Sequence, residues 1–179
     1  MAGLLACLVG TSALPATLHT QADLQFLSHM IVHHQQALDL CALVPSRSSR
    51  EELHRYARYL NDAQRAEIDH MQGLLRQAEE RGAVIPEEHL HDDPPMAGML
   101  SKARMTAIAA ARGGEFEQLW LQGMILHHQG AVDMALAQQE AQFRSAHQPW
   151  GVDVLVDDML TVQRAEIHKM QIWLKDWER

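Results

Sequence analysis

From residue 20 onward the apolar residues recur at intervals of three and four, rich in Ala and Leu, with no alternating β-branched runs set between turns. That spacing puts the apolar side chains on one stripe of a 3.6-residue helix, so an all-α fold is predicted. Four long helices and one short one account for the pattern. The first is expected to run from Thr20, with Thr20 and Asp23 as a capping box, to Val44, with Pro45 as its stop. The second starts near Ser48 or Ser49, ahead of Glu51 and Glu52, and ends at Gly82. The proline-rich stretch AVIPEEHLHDDPPMAGML leads to a short helix from Ser101 to about Arg112, closed by Gly113 and Gly114. The third long helix covers about Glu115 to Ala146, and Pro149 opens a fourth that reaches the C-terminus.

The pattern occurs twice. FLSHMIVHHQQALDL (26–40) aligns without gaps on WLQGMILHHQGAVDM (120–134), sharing Leu, Met, Ile, His, His, Gln, Ala and Asp. AQRAEIDHMQGLL (63–75) aligns on VQRAEIHKMQIWL (162–174), sharing Gln, Arg, Ala, Glu, Ile, Met, Gln and the final Leu. Internal similarity of this kind indicates a duplicated helical hairpin. Neither hairpin can bury its apolar face alone, so the two are expected to pack as one four-helix bundle about a pseudo-two-fold axis. Repeat one spans 20–82, the crossover 83–114 and repeat two 115–179, forming one domain behind a leader at 1–19.

Polar residues interrupt the stripes at matched places. At about 100° per residue, Leu27, Met30, Ile31, Ala37, Leu38 and Cys41 lie within about 60° of His34, and Leu121, Met124, Ile125, Ala131, Val132 and Ala135 surround His128. His33 and His127 fall at the stripe edges, so neighbouring histidines are not both expected to point into the core. Glu67 and Glu166 hold the centre of the second and fourth helices. Burying such groups unpaired costs several kcal/mol each, which requires partners. Either His34 and His128 bond to Glu67 and Glu166 and fix helix register, or these groups converge on an ion. The thioethers Met30, Met71, Met124 and Met170, within about 40° of the central groups, point to a soft ion, although each is equally suited to filling a core.

Composition sharpens this reading. The 179 residues include twelve His and ten Met but two Cys, Cys7 and Cys41, at no zinc-like spacing. A formal charge of −8 with no basic run excludes nucleic acid as a partner. No glycine-rich phosphate loop or G-x-S-x-G elbow occurs, and nothing assigns an enzyme activity. Residues 1–18 carry no charged side chain and read as an export signal core, with Thr11 and Ala13 suiting a cleavage site, although no Lys or Arg precedes them. An apolar arm packed on the domain is the alternative, and contact with a membrane is expected only through a retained leader. A Cys7–Cys41 disulfide requires that leader. His89, His91, Asp92, Asp93, Met96 and Met99 form a looser cluster in the crossover, read first as a solvated linker. Exposed Trp120, Trp150 or Trp177 near a bundle end would indicate a homo-oligomer.

The two Met-Ile-x-His-His-Gln-x-Ala motifs at Met30–Ala37 and Met124–Ala131, with Gln-Arg-Ala-Glu-Ile-x-x-Met at Gln64–Met71 and Gln163–Met170, resemble the domain of unknown function 305 family over about residues 22–177. The resemblance implies a ferritin-like fold and an exported bacterial protein, the members with an assigned role binding copper or silver. It makes His33, His34, His127 and His128 the candidate functional residues. A di-iron centre fits less well, because Glu67-Ile68-Asp69-His70 matches the Glu-x-x-His string while its counterpart Glu166-Ile167-His168-Lys169 does not. Imidazole and thioether suit copper, as Cu(I) or Cu(II), and Met30 and His34, like Met124 and His128, stand one helical turn apart. The expected function is therefore binding or sequestration of copper outside the cytoplasm. Its alternatives are a metal-free structural or interaction bundle and a redox enzyme with a degenerate ferritin-like centre.

Overall fold

The structure, a computed structural model, covers residues 19–86, 96–145 and 150–177. Five helices follow in order: α1 (Gln21–Arg47), α2 (Glu51–Glu80), α3 (Lys102–Ala110), α4 (Gly113–Arg144) and α5 (Val152–Trp177). No strand occurs among the described residues. Helices α1 and α2 form one hairpin and α4 and α5 the other; α1 packs on α4 between them, and α3 lies across α4. This is the expected four-helix arrangement, with its short helix in the crossover. No described helix is long and apolar enough to cross a membrane.

The capping box at the start of α1 forms as expected, and it does more than cap. Thr20 N–H donates to Asp23 Oδ2 at 2.8 Å and Asp23 N–H to Thr20 Oγ1 at 3.1 Å. Gln138 Nε2 of α4 also donates to Asp23 Oδ1 at 2.6 Å, and Trp150 Nε1 reaches Oδ2 at 3.3 Å. Asp23 is fully buried, so one carboxylate ties the α1 terminus to α4 and to the approach to α5. Asp23→Ala leaves these donors unsatisfied and is expected to cost about 2–3 kcal/mol, read as a lowered urea midpoint. An unchanged midpoint would mean that water replaces the carboxylate without loss.

Helix ends depart from the sequence expectation in three places. Helix α1 runs through Pro45 to Arg47. Proline removes one N–H, but in a last turn that loss is small, and the final carbonyls find other donors: Ser48 N–H on Val44 and Arg112 Nη1 on Ser46. Neither serine provides a side-chain cap for α2, whose N-cap is Arg50, because Ser48 Oγ turns to donate to buried Glu117 at 2.5 Å. Gly113 and Gly114 open α4 rather than closing α3, which ends at Ala110; Gly113 has φ 57°. Gly82 is a stop as expected: at φ 89° its N–H reaches Glu79 O while Ala83 N–H reaches Ala78 O, the two bonds of a left-handed C-terminal motif.

Two apolar clusters flank the middle of the bundle. One joins Leu40, Cys41, Leu53, Tyr56, Leu60 and Trp120 with Met124 and Met170; the other joins Leu27, Leu74, Val156 and Met159 with Met30 and Met71. Trp120 is fully buried, with its Nε1 donating to Leu40 O, so it offers no surface for self-association. Cys41 is buried as a free thiol, and burial pushes its pKa up to about 12. The leader, Cys7, Pro149 and the cluster at His89–Asp93 lie outside the described residues.

Candidate metal centre

Between the two apolar clusters lie four histidines, all essentially without exposure: His33 and His34 from α1, His127 and His128 from α4. The sequence expectation that one histidine of each neighbouring pair would sit at the edge is corrected here. An edge was expected because an isolated hairpin buries one stripe. Helix α1 instead meets α2 on one side and α4 on another, and the crossover covers the seam between α1 and α4, so its buried arc is wider.

The central pairs match. His34 Nε2 lies 2.5 Å from Glu67 Oε2, and His128 Nε2 lies 3.0 Å from Glu166 Oε2. A carboxylate accepts, so in each pair Nε2 carries the hydrogen and Nδ1 the lone pair of the neutral ring. His34 Nδ1 and His128 Nδ1 are buried with no hydrogen-bond partner, as are Gln64 Oε1 and Gln163 Oε1, one turn before each glutamate. Buried polar atoms are nearly always satisfied, so a symmetric set of four orphans needs an explanation.

His33 and His127 are used differently. Their rings meet across the α1–α4 seam with centroids 3.8 Å apart and planes tilted by 36°. His127 Nε2 donates to the backbone carbonyl of His33 at 2.9 Å, and His33 Nε2 donates to Ala97 O at 3.0 Å. Burial, then the neighbouring imidazoles, hold both pKa values well below the ordinary 6.5, that of His33 at about 3. The native state therefore refuses protons that the unfolded chain accepts. The stability these two histidines contribute is expected to be fully present above about pH 6.5 and to be lost as the pH falls below it, by up to about 1.4 kcal/mol per pH unit for each, down to about 3 for His33. Urea midpoints at pH 7 and pH 4.5 check this, and equal midpoints would contradict it.

The crossover is seated where the repeat breaks. Gln36 of α1 clamps Leu100 through two hydrogen bonds, Nε2 to Leu100 O and Leu100 N–H to Oε1, at 3.0 and 2.7 Å. Its counterpart on α4 is Gly130, whose missing side chain lets Ala97 and Gly98 lie against the helix backbone. Sequence reasoning passed over both residues, and the signal was their mismatch inside an otherwise matched motif.

The four thioethers Met30, Met71, Met124 and Met170 are fully buried, the pair from each repeat sharing one cluster. Among the described residues, no three or more His, Cys, Asp or Glu come together at a spacing that would hold an ion. The glutamates face the imidazole Nε2 atoms. That is the arrangement in which a carboxylate orients a ligating histidine and raises its basicity, leaving Nδ1 to bind. Orphan imidazole nitrogens in a core that also holds four thioethers suit a soft ion of low coordination number better than a hard one. The di-iron string fails on geometry also, since His70 is exposed while Glu67 faces His34.

A family model described as "Domain of unknown function (DUF305)" matches residues 23–174. Among solved structures, a DUF305 protein of Streptomyces coelicolor, described as secreted, is 30% identical, with TM-score 0.74 over 88% of this chain and 92% of the other. A DUF305 fragment from Deinococcus radiodurans is 31% identical, with TM-score 0.72 over 88% and 97%. CopM in its Cu(II)-bound form is 27% identical, with TM-score 0.66 over 87% and 98%; CopM structures with Cu(I) and Ag also match. No curated protein matches the chain.

Proposed function

Since the chain belongs to the DUF305 family and resembles the structures of CopM with bound copper and silver, we propose that it is an extracytoplasmic copper-binding protein that sequesters or carries the ion in metal homeostasis. The observation that carries this reading is the pair of buried imidazoles, His34 and His128, each oriented by a glutamate through Nε2 and each with an unpartnered Nδ1. Met30, Met71, Met124 and Met170 supply the thioethers that select Cu(I). Glu67 and Glu166 act one shell out. His33 and His127 hold the α1–α4 seam against the crossover and keep the site dry. A buried site reached slowly and holding a soft ion away from water suits storage or hand-over, because copper confined there is kept from reacting with solvent.

Titration of the metal-free protein with Cu(I) under a competing chelator, and with Cu(II), tests the reading. Binding of Cu(I) in preference to Cu(II), with a raised melting temperature, is the expected result; a thermal transition indifferent to both ions overturns it.

A second reading is favoured by the completeness of the pairs. Because each glutamate already has an imidazole partner, the four groups can fix helix register with no ion. That bundle would be isolated free of metal, and Glu67→Gln would lower its stability without changing any metal content.

A further inference from the structure

The two buried pairs are matched in the sequence repeat but not in their access to solvent. The seam between α1 and α4 is covered beside His33 and Gly130 by Ala97 and Gly98, and the approach considered for His34 and His128 is from the side of α2 and α5, which bear the glutamates. A groove opens there, lined by Tyr56 and Tyr59 of α2 and by Thr161, Ala165, Glu166 and Lys169 of α5. Glu166 forms its floor, with its side chain only 6% exposed, whereas that of Glu67 is 20% exposed.

The residues around the two glutamates differ sharply. Tyr59 stacks on Tyr56 with centroids 5.8 Å apart and lines the groove with Glu166; burial, then the charge of Glu166 and more weakly that of Glu67, raise the Tyr59 pKa. Tyr56 donates to the backbone carbonyl of Glu166 at 3.4 Å. Lys169, one turn beyond Glu166, holds its Nζ 4.6 Å from the Tyr56 ring centre and 5.0 Å from that of Trp173. In the repeat alignment the counterpart of Tyr59 is Asp158 and that of Lys169 is His70, all four residues being exposed. One glutamate is thus roofed by a phenol and a fixed cation. The other has a histidine one turn away on its own helix, and the matching place on the facing helix holds an acid.

We infer that Tyr59 and Lys169 gate the Glu166–His128 pair, so that a soft monovalent cation loads first at Glu67–His34 and only slowly at Glu166–His128. The inference rests on the proposed function, since it concerns the order in which those sites fill. Two physical effects combine. The ammonium of Lys169 at the edge of the groove repels an incoming cation, and a single like charge there slows association about fivefold at low salt. The ring of Tyr59, half exposed at the mouth of the groove, also narrows the way past Glu166.

The test is stopped-flow mixing of the full chain with Ag(I), followed by tryptophan fluorescence, in a Cys41→Ala background that removes the buried thiol by installing the residue its repeat partner carries. The wild-type sites are expected to fill in two phases at least about fivefold apart, His34→Gln abolishing the fast one and His128→Gln the slow one. Installing the repeat counterparts as Tyr59→Asp with Lys169→His is expected to merge the phases by accelerating the slow one. Lys169→Gln alone is expected to recover part of that gain at low salt and less of it at 0.5 M salt. Two phases that survive in the Tyr59→Asp, Lys169→His chain overturn the gate while leaving copper binding intact. A wild-type chain that takes up no Ag(I) overturns the gate and the proposed function together.

Discussion

A chain carrying His34→Gln with His128→Gln is expected to lose affinity for Cu(I) by about hundredfold or more, equivalent to about 2.7 kcal/mol or more of binding free energy. The magnitude follows from what is removed. Each imidazole contributes a buried Nδ1 without a partner, on a ring whose Nε2 is held by a glutamate. Glutamine keeps an amide that can still donate to Glu67 or Glu166, so the carboxylates are not stranded and the bundle is expected to remain folded. Glu67→Gln or Glu166→Gln should act more weakly, about tenfold to hundredfold, because these side chains orient a ligand without being one. His33→Gln and His127→Gln should show mainly in stability, since their Nε2 atoms are engaged on the carbonyls of Ala97 and His33. Competition titration of each variant against a Cu(I) chelator, with circular dichroism as the control for folding, separates these effects. Affinity unchanged in the His34, His128 double variant would remove the buried pairs from the binding site altogether.

Gly130→Ala is expected to destabilise the protein by about 3 kcal/mol or more, against the rule for helix interiors. Inside a helix, exchanging glycine for alanine ordinarily stabilises by about 1 kcal/mol. At Gly130 the new Cβ would lie 2.1 Å from Ala97 O and 2.4 Å from Gly98 Cα, both backbone atoms that no rotamer change can move. The crossover must then lift from α4. Lifting it takes Ala97 O away from His33 Nε2 and leaves a fully buried imidazole with neither of its nitrogens bonded, which adds to the cost. The collision therefore outweighs the propensity gain. Urea denaturation compares the variant with wild type, and Gly73→Ala, where the nearest atom to the new Cβ is the end of the Arg76 side chain at 3.9 Å, is the control expected to be neutral or stabilising. A Gly130→Ala chain as stable as wild type would show that the crossover is not held against α4.

The periodicity of apolar residues carried the helices, their order and the position of the short crossover helix, because burial of one stripe is a local property that spacing alone reveals. Helix ends were less legible. Ser48, read as a cap, is drawn instead to Glu117, which is distant in sequence. Pro45, read as a stop, lies inside the last turn because Arg112 supplies a donor for Ser46 O from elsewhere in the chain. In both cases a partner from another element outbid the local signal.

The candidate site divides along the same line. The doubled His-His and Glu motifs placed His34, His128, Glu67 and Glu166 at the centres of four apolar faces, and their pairing was one of the two arrangements that such burial permits. The repeat also marked Met30, Met71, Met124 and Met170. What spacing along one helix has no means to express is what packs against its other side. The burial of His33 and His127, the seal of Ala97 and Gly98 over Gly130, and the roof of Tyr59 and Lys169 over Glu166 all depend on contacts between segments far apart in the chain. The sequence by itself thus determined which ionisable groups are buried at the centre of each helix, since periodicity assigns a face. Only the tertiary structure decided which nitrogen of each histidine is left unbonded and from which side an ion can reach it, because both follow from where neighbouring backbones come to rest.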